Sequence, residues 1–395
     1  MRTTRRDVDA TIARARDAAV EVLRRNLHGP HDGLPRTAGW GYPEPYTRDL
    51  MIAAPGMLVS GDDALVEGVR RVLKALAANQ TSHGHIPSLA HDPENTGASD
   101  TTPLFLIGLG AYRRATGQAR FLEDAAGRAL TWMEYQSPAD RVIIAQQPTS
   151  DWRDEQWVPG FPLYANALLY MALKLFDQHA RAAELRHELT QLTITSGLMH
   201  AHVHEGLRLE AKPYFALWSR KVDSSERFDL LGNSLAIIGG IASRSRAKKI
   251  VSWVETECGA LRSSGDLALD LPPNLFPYIR REDPDWRPRY ERFNKPGEYH
   301  NGGVWPFVCG FYVAAMVAAG YKTLARRKLA VLAELMRPAR DGALEYGFNE
   351  WFKAQDGAPL GQDWQTWSAA MFVYADECVR RGSTPLLDEA RNKSG

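Results

Sequence analysis

Two stretches of this chain crowd carboxylates against aromatic rings. Asp151-Trp152-Arg153-Asp154-Glu155-Gln156-Trp157 precedes an apolar helical pattern, and residues 341–351 include Asp341, Glu345, Tyr346, Phe348, Glu350 and Trp351. Helix capping explains one aspartate ahead of a helix, but neither indole of the first stretch. A carboxyl group packed against tryptophan loses hydration of its charged form, so its pKa rises, as a general acid at neutral pH requires. Glycoside hydrolysis needs two carboxyl groups flanking one bond, an acid for the leaving oxygen and a partner on the opposite ring face. Two acidic–aromatic stretches far apart in sequence can supply one each.

Further clusters fit a sugar pocket. Tyr299-His300-Asn301-Gly302-Gly303-Val304-Trp305-Pro306 puts glycines, which let a ligand approach backbone, before a helix with proline in its first turn. Trp40 to Asp49 is an aromatic loop ending in Arg48-Asp49, whose charges can bind neighbouring hydroxyls or serve architecture alone. Ser99-Asp100-Thr101-Thr102 is another polar cluster directly ahead of a helix. His200, His202 and His204 alternate as metal ligands on a strand would, yet no carboxylate or cysteine pattern completes a site, so no metal and no cofactor is expected. GxGxxG, P-loop, GxSxG and HExxH motifs are absent, which argues against nucleotide, serine-hydrolase and common zinc-protease chemistry.

The composition agrees. With Lys+Arg 48 against Asp+Glu 47 the net charge is +1, so nothing draws the protein to nucleic acid or to an anionic membrane. Hydrophobic residues at 44% suit a folded chain, and no apolar run reaches membrane-spanning length. Residues 1–27 interleave charges with small apolar side chains, so a cytoplasmic location is expected. Cys258, Cys309 and Cys378 are widely spaced and read as reduced core thiols.

The elements that must position these clusters are helices. Apolar residues at three- and four-residue spacing predict twelve, at about 8–26, 49–60, 62–79, 99–115, 119–136, 161–177, 179–193, 227–241, 244–257, 304–319, 322–336 and 365–380. Val142–Ala145 and Leu198–Leu209 are the candidate strands. Every other helix opens directly after a polar–aromatic cluster. Six hairpins therefore suggest an all-α (α/α)6 toroid: one domain over 1–395, with the loops before the inner helices gathered at one end and excursions about 194–226 and 258–303 over that end.

Taken in order, the clusters resemble the neutral/alkaline invertase family of inverting glycoside hydrolases. Arg227 to Ile237, RFDLLGNSLAI, is similar to that family's RF-x-x-LGN-x-x-AI; YHNGGVWP at 299–306 is nearly its YHNGG-x-WP; and Glu345-Tyr346 through Gln365-Thr-Trp367-Ser resembles its EYYDG…QTW. YTRDLMIAAPG at 46–56 and DWRDEQW…YANALL at 151–169 look like the glycogen-debranching amylo-1,6-glucosidases instead. Both relatives imply an (α/α)6 barrel with an aspartate acid and a glutamate base. Asp154 matches the acid and Glu345 the base, while Arg48 and Asp49 match residues that hold the sugar beside the scissile bond. The matched motifs add Tyr46, Asp151, Trp152, Trp157, Asn233, His300, Asn301, Gly302, Trp305, Tyr346, Gln365 and Trp367 as substrate-binding candidates, and the Ser99–Thr102 cluster ahead of a helix adds Asp100. Where invertases carry a DSGLWW-type segment this chain reads DWRDEQW, which leaves Asp151 a competitor for the acid.

The resemblance implies an exo-acting inverting hydrolase of a small α-glucoside, sucrose-like or α-1,6-linked, with a small carbohydrate as its partner and a homo-oligomer left open. An inverting phosphorylase, a sugar epimerase or isomerase working through histidines, and a non-enzymatic sugar-binding protein are the rival readings.

Overall fold

The computed structural model describes residues 5–138, 141–191, 193–194, 206–220, 223–339 and 345–388. Among them are helices α1 (Arg5–Asn26), α2 (Thr47–Leu58), α3 (Asp63–Ala78), α4 (Thr101–Thr116), α5 (Glu123–Tyr135), α6 (Leu163–Leu175), α7 (His179–Gln191), α8 (Leu230–Gly239), α9 (Arg244–Ser264), α10 (Tyr290–Phe293), α11 (Pro306–Ala319), α12 (Lys322–Leu335) and α13 (Thr366–Arg381). All twelve expected helices are present, and α10 is a single added turn.

Sequence sorts these helices into two layers. In α3 the buried residues Leu65, Val69, Val72, Leu73 and Leu76 recur at helical spacing, leaving an outer face of Arg70, Arg71 and Lys74, and Asp62 caps its start by accepting from Ala64 and Leu65 N–H. In α8 every residue is buried, and in α11 nearly every one is. A helix apolar all round must be covered on all sides. The packing follows: α2 lies against α4, α4 against α6, α6 against α8, α8 against α11, α11 against α13, and α13 back against α2. Around this closed inner ring, α3 packs on α2, α5 on α4, α7 on α6, α9 on α11, and α12 and α1 on α13. The architecture is an (α/α)6 toroid. Small residues set its tightness, since a Cβ at Gly56 of α2 would overlap the Ala370 carbonyl of α13.

Short strands lie at the end where the inner helices begin. β1 (Phe161–Pro162), β4 (Ala216–Arg220), β5 (Asp223–Asp229) and β6 (Leu275–Phe276) form an antiparallel sheet in the order β1-β4-β5-β6. β1 runs directly into α6 and β5 into α8. β2 (Thr193–Ile194) and β3 (Arg208–Leu209) pair in parallel, and β7 (Trp351–Phe352) pairs with β8 (Pro359–Leu360) ahead of α13.

Three expectations are corrected. The helix expected from 227 begins at Leu230, because Phe228 and Asp229 pair with Phe276 and Leu275 across the sheet. Helix α9 continues to Ser264, where Gly265 in the left-handed region stops it, so the second excursion begins later than expected. Val142–Ala145 is not a strand: Ile143 N–H donates to Glu188 and Ile144 N–H to the Asn166 side chain, so side chains satisfy backbone that a neighbouring strand would otherwise pair. Most of Leu198–Leu209, with its alternating histidines, lies outside the described residues.

Candidate active site

The starts of four inner helices converge on one cavity of about 220 Å³. Thr37, Tyr42, Tyr46, Arg48 and Asp49 reach it from the start of α2, Trp152 and Asp154 from the segment before α6, Tyr299, His300 and Trp305 from before α11, and Glu350 and Trp367 from the start of α13. An adjoining cavity of about 430 Å³ shares Tyr46, Arg48 and Asp154 with it and is otherwise walled largely by neutral polar residues, among them Ser88, Asn95, Thr96, Gln147 and Thr149.

The floor is aromatic. Trp152 is edge-on to His300, Trp305 and Phe307, with centroids 5.2, 5.3 and 5.4 Å away, and Phe307 stacks on Trp367 at 4.3 Å. Tyr299 stacks on His300 at 4.0 Å and holds φ of 46°, a left-handed conformation uncommon for a bulky side chain and characteristic of functional sites. Burial pushes the His300 imidazole far below its usual range, with Arg153 and Arg48 acting the same way and Asp151 against them, which favours the neutral ring.

Charge is concentrated on the walls. Asp154 opens onto the cavity, yet the surrounding protein raises its pKa by desolvation; Arg48 opposes the rise, and Glu155, Asp151 and Asp100 add to it. Asp49 is buried, and desolvation, reinforced by Glu350 and Asp154 and opposed by Arg48, pushes it up to about 8. Glu350 sits on the α13 side, where its backbone N–H donates to the Gln362 carbonyl and its Oε2 accepts from Gln362 N–H at 3.1 Å. Its charge is the largest cause of the Tyr42 phenol rising to about 12, and after burial it also raises Tyr299, where Asp154 contributes too. Asp154 and Glu350 thus act on the same two phenols.

Several candidates support these walls instead of lining the cavity. Asp151 is fully buried: its oxygens accept from Arg153 at 2.7 Å and from Gln146 at 2.9 Å, and although burial opposes its charge, Arg153 and Gln146 hold its pKa below the ordinary range. Arg153 also meets Asp229 at 3.0 Å, a buried cation between two carboxylates. Asp100 lies beneath the cavity and holds Arg48 charged through a 2.7 Å ion pair, against the burial that opposes it. Asn233 clamps the backbone of Phe215 and Asp229. Asn301 clamps Ile279 and Asn294. Gly302, at φ of 103°, packs where a Cβ would overlap the Tyr278 ring.

The sharpest correction concerns Glu345, which is exposed and does not line the cavity; the acid that does so in this stretch is Glu350. Tyr346 is half-buried, accepting through its carbonyl from Trp364 Nε1. Gln365 is buried at the start of α13 and donates its N–H to the Phe348 carbonyl, and Trp157 turns outward to a separate groove. Missing from the sequence candidates were Thr37, Tyr42, Tyr299 and Glu350. Each lay within or beside a stretch already singled out, so its neighbourhood was visible although the direction of its side chain was not.

Residues 210–381 match the alkaline and neutral invertase family. That invertase-like segment carries the Tyr299–Trp305 wall, Glu350 and Trp367. An alkaline/neutral invertase of Arabidopsis thaliana is 25% identical over 161 residues, 39% of this chain and 22% of the relative, so the match spans about a fifth of that protein's length. A mannosylglycerate hydrolase from Thermus thermophilus superposes with a TM-score of 0.65 at 16% identity, covering 91% of this chain and 99% of the other. A bacterial glucoamylase complexed with acarbose gives 0.63 at 15% identity, covering 96% of this chain and 57% of the other. The second half of the chain thus carries the sequence pattern of a glycoside hydrolase family, and nearly all of the chain carries the fold of these glycosidases.

Proposed function

We propose that this protein is an inverting, exo-acting glycoside hydrolase of small α-glucosides, with Asp154 as general acid and Glu350 as general base. What supports the reading is the pair of carboxyl groups that line one aromatic-floored cavity, brought there from ahead of α6 and ahead of α13, helices three places apart in the ring of six. Asp154, its pKa raised, gives its proton to the glycosidic oxygen as the bond from C1 to that oxygen breaks and its electrons leave with the oxygen. A water attacks C1 from the other ring face and yields its proton to Glu350, so the anomeric centre inverts. Arg48 and Asp49 hold glycone hydroxyls, and the leaving group lies in the adjoining polar cavity beyond Asp154. The invertase likeness of residues 210–381 favours a sucrose-like substrate.

Phosphorolysis is disfavoured by charge. Among the described residues lining the two cavities Arg48 is the cation, and Asp100 already engages it, while Glu350, joined by Asp49 as it ionises toward pH 8, would face an incoming phosphate. For an epimerase, His300 is the histidine at the cavity, and the histidines at 200–204 lie outside the described residues.

The test is the anomer first released from an α-glucoside, read by proton NMR, in wild type and three amide variants. The expected product is β, with Asp154→Asn and Glu350→Gln each losing about 10²- to 10⁴-fold in kcat and Glu345→Gln staying within about twofold of wild type. An initial α-anomer excludes inversion. Near-wild-type turnover by Glu350→Gln, with loss in Glu345→Gln, would return the base to Glu345.

A further inference from the structure

A groove of about 670 Å³ runs between the β4–β5 hairpin and the excursion at 277–287, and none of its lining residues lines either cavity at the catalytic end. Trp157 stands at its rim, 41% exposed, with the Arg287 guanidinium 5.0 Å from its ring centre. With Arg287 over one face, the exposed remainder of this indole, beside a concave polar surface, is where a sugar's C–H groups can pack. Trp218 adds a second indole to the lining.

The charges in this groove select a ligand class. Arg227 is held by Asp285 at 2.7 Å and Asp283 at 2.9 Å, a cluster with one carboxylate in excess. Among the described residues, Lys212, Arg220 and Arg287 have no carboxylate partner and Asp223 and Glu226 have no cationic one, so that with the Arg227 cluster the lining balances four cations against four carboxylates. An anion would meet those acids and a cation those bases. A hydroxyl group donates and accepts at once and is matched by both.

We propose that this groove is a second carbohydrate-binding site, separate from the catalytic cavity, that takes a neutral saccharide with one ring face on Trp157. It lies on the same strap as the acid. Trp157 N–H donates to the Tyr290 hydroxyl at 2.8 Å, the Glu155 carbonyl accepts from Asn294 Nδ2 at 2.7 Å, and Asn294 Oδ1 accepts from His300 N–H at 2.9 Å. A sugar in the groove therefore rests on the segment that carries Asp154 at its other end.

Calorimetric titration with maltose tests this in the full chain carrying Asp154→Asn to stop turnover. Two binding events are expected, of which Trp157→Ala removes one or weakens it at least tenfold and Trp157→Phe retains it within about threefold. On the otherwise wild-type chain, Trp157→Ala should leave kcat/KM on an aryl glucoside within about twofold. A single event unchanged by Trp157→Ala overturns the proposal, as does glucose 6-phosphate binding the Trp157-dependent site ten times more tightly than maltose. A single event abolished by Trp157→Ala would leave the groove site standing and count against the catalytic reading.

Discussion

Asp49 shows how the cavity trades stability for chemistry. Its carboxyl ionises near 3.8 in an ordinary setting and near 8 here, with burial as the leading cause and Glu350 and Asp154 assisting. Between those values the folded chain holds a proton that the unfolded chain releases. The group's contribution to stability is therefore complete below about pH 4 and is lost as pH rises toward 8. Asp49→Asn removes this titration. Its Tm should decline less steeply than that of wild type between pH 5 and 8, by a difference of at least about 2 °C in differential scanning calorimetry. Parallel declines would mean that Asp49 ionises as it would in water. Because Asp49, Asp154 and Glu350 share one cavity, the pH–rate profile belongs to the set of three, and on the proposed assignment activity should fall at high pH as the set gives up the proton that the acid must donate.

Among the elements, the inner helices leave least room for change. Gly56 sits where α2 meets α13 backbone to backbone, so Gly56→Ala should cost about 1–3 kcal/mol in urea unfolding as the two helices are forced apart. Gly127, on the outer helix α5, has open space where a Cβ would stand, and Gly127→Ala should be neutral or stabilise by up to about 1 kcal/mol. If both variants behave alike, close approach is not what fixes the ring. The same contrast explains what could be read from the sequence. Helix positions were legible because apolar spacing in α3, or unbroken apolarity in α8, follows from which faces are buried. The β5 strand was not, since Arg227-Phe228-Asp229 runs into an apolar helix and its pairing partner Phe276 lies 48 positions further on. The acidic–aromatic character of 341–351 was visible too, but whether Glu345 or Glu350 turns inward depends on the backbone pairing of Glu350 with Gln362, which no local pattern encodes.

At the scale of the molecule, the ring is closed by packing of α13 on α2, with α1 laid across α12 and α13 and Arg16 bonding Asp376 at 2.9 Å. A closed ring offers no seam along which one half can unfold while the other persists. Thermal unfolding should therefore give one calorimetric transition with equal van't Hoff and calorimetric enthalpies, and two resolved transitions would mean that the ring divides into independent halves. The catalytic mouth of that ring carries more acid than base, since Asp49, Asp154 and Glu350 face it and Arg48 is already engaged by Asp100. A protonated amine is then the natural intruder. On the proposed reading, amines that stay protonated through pH 8 should act as competitive inhibitors whose grip tightens as Asp49 ionises, and rates measured in such amines would be understated.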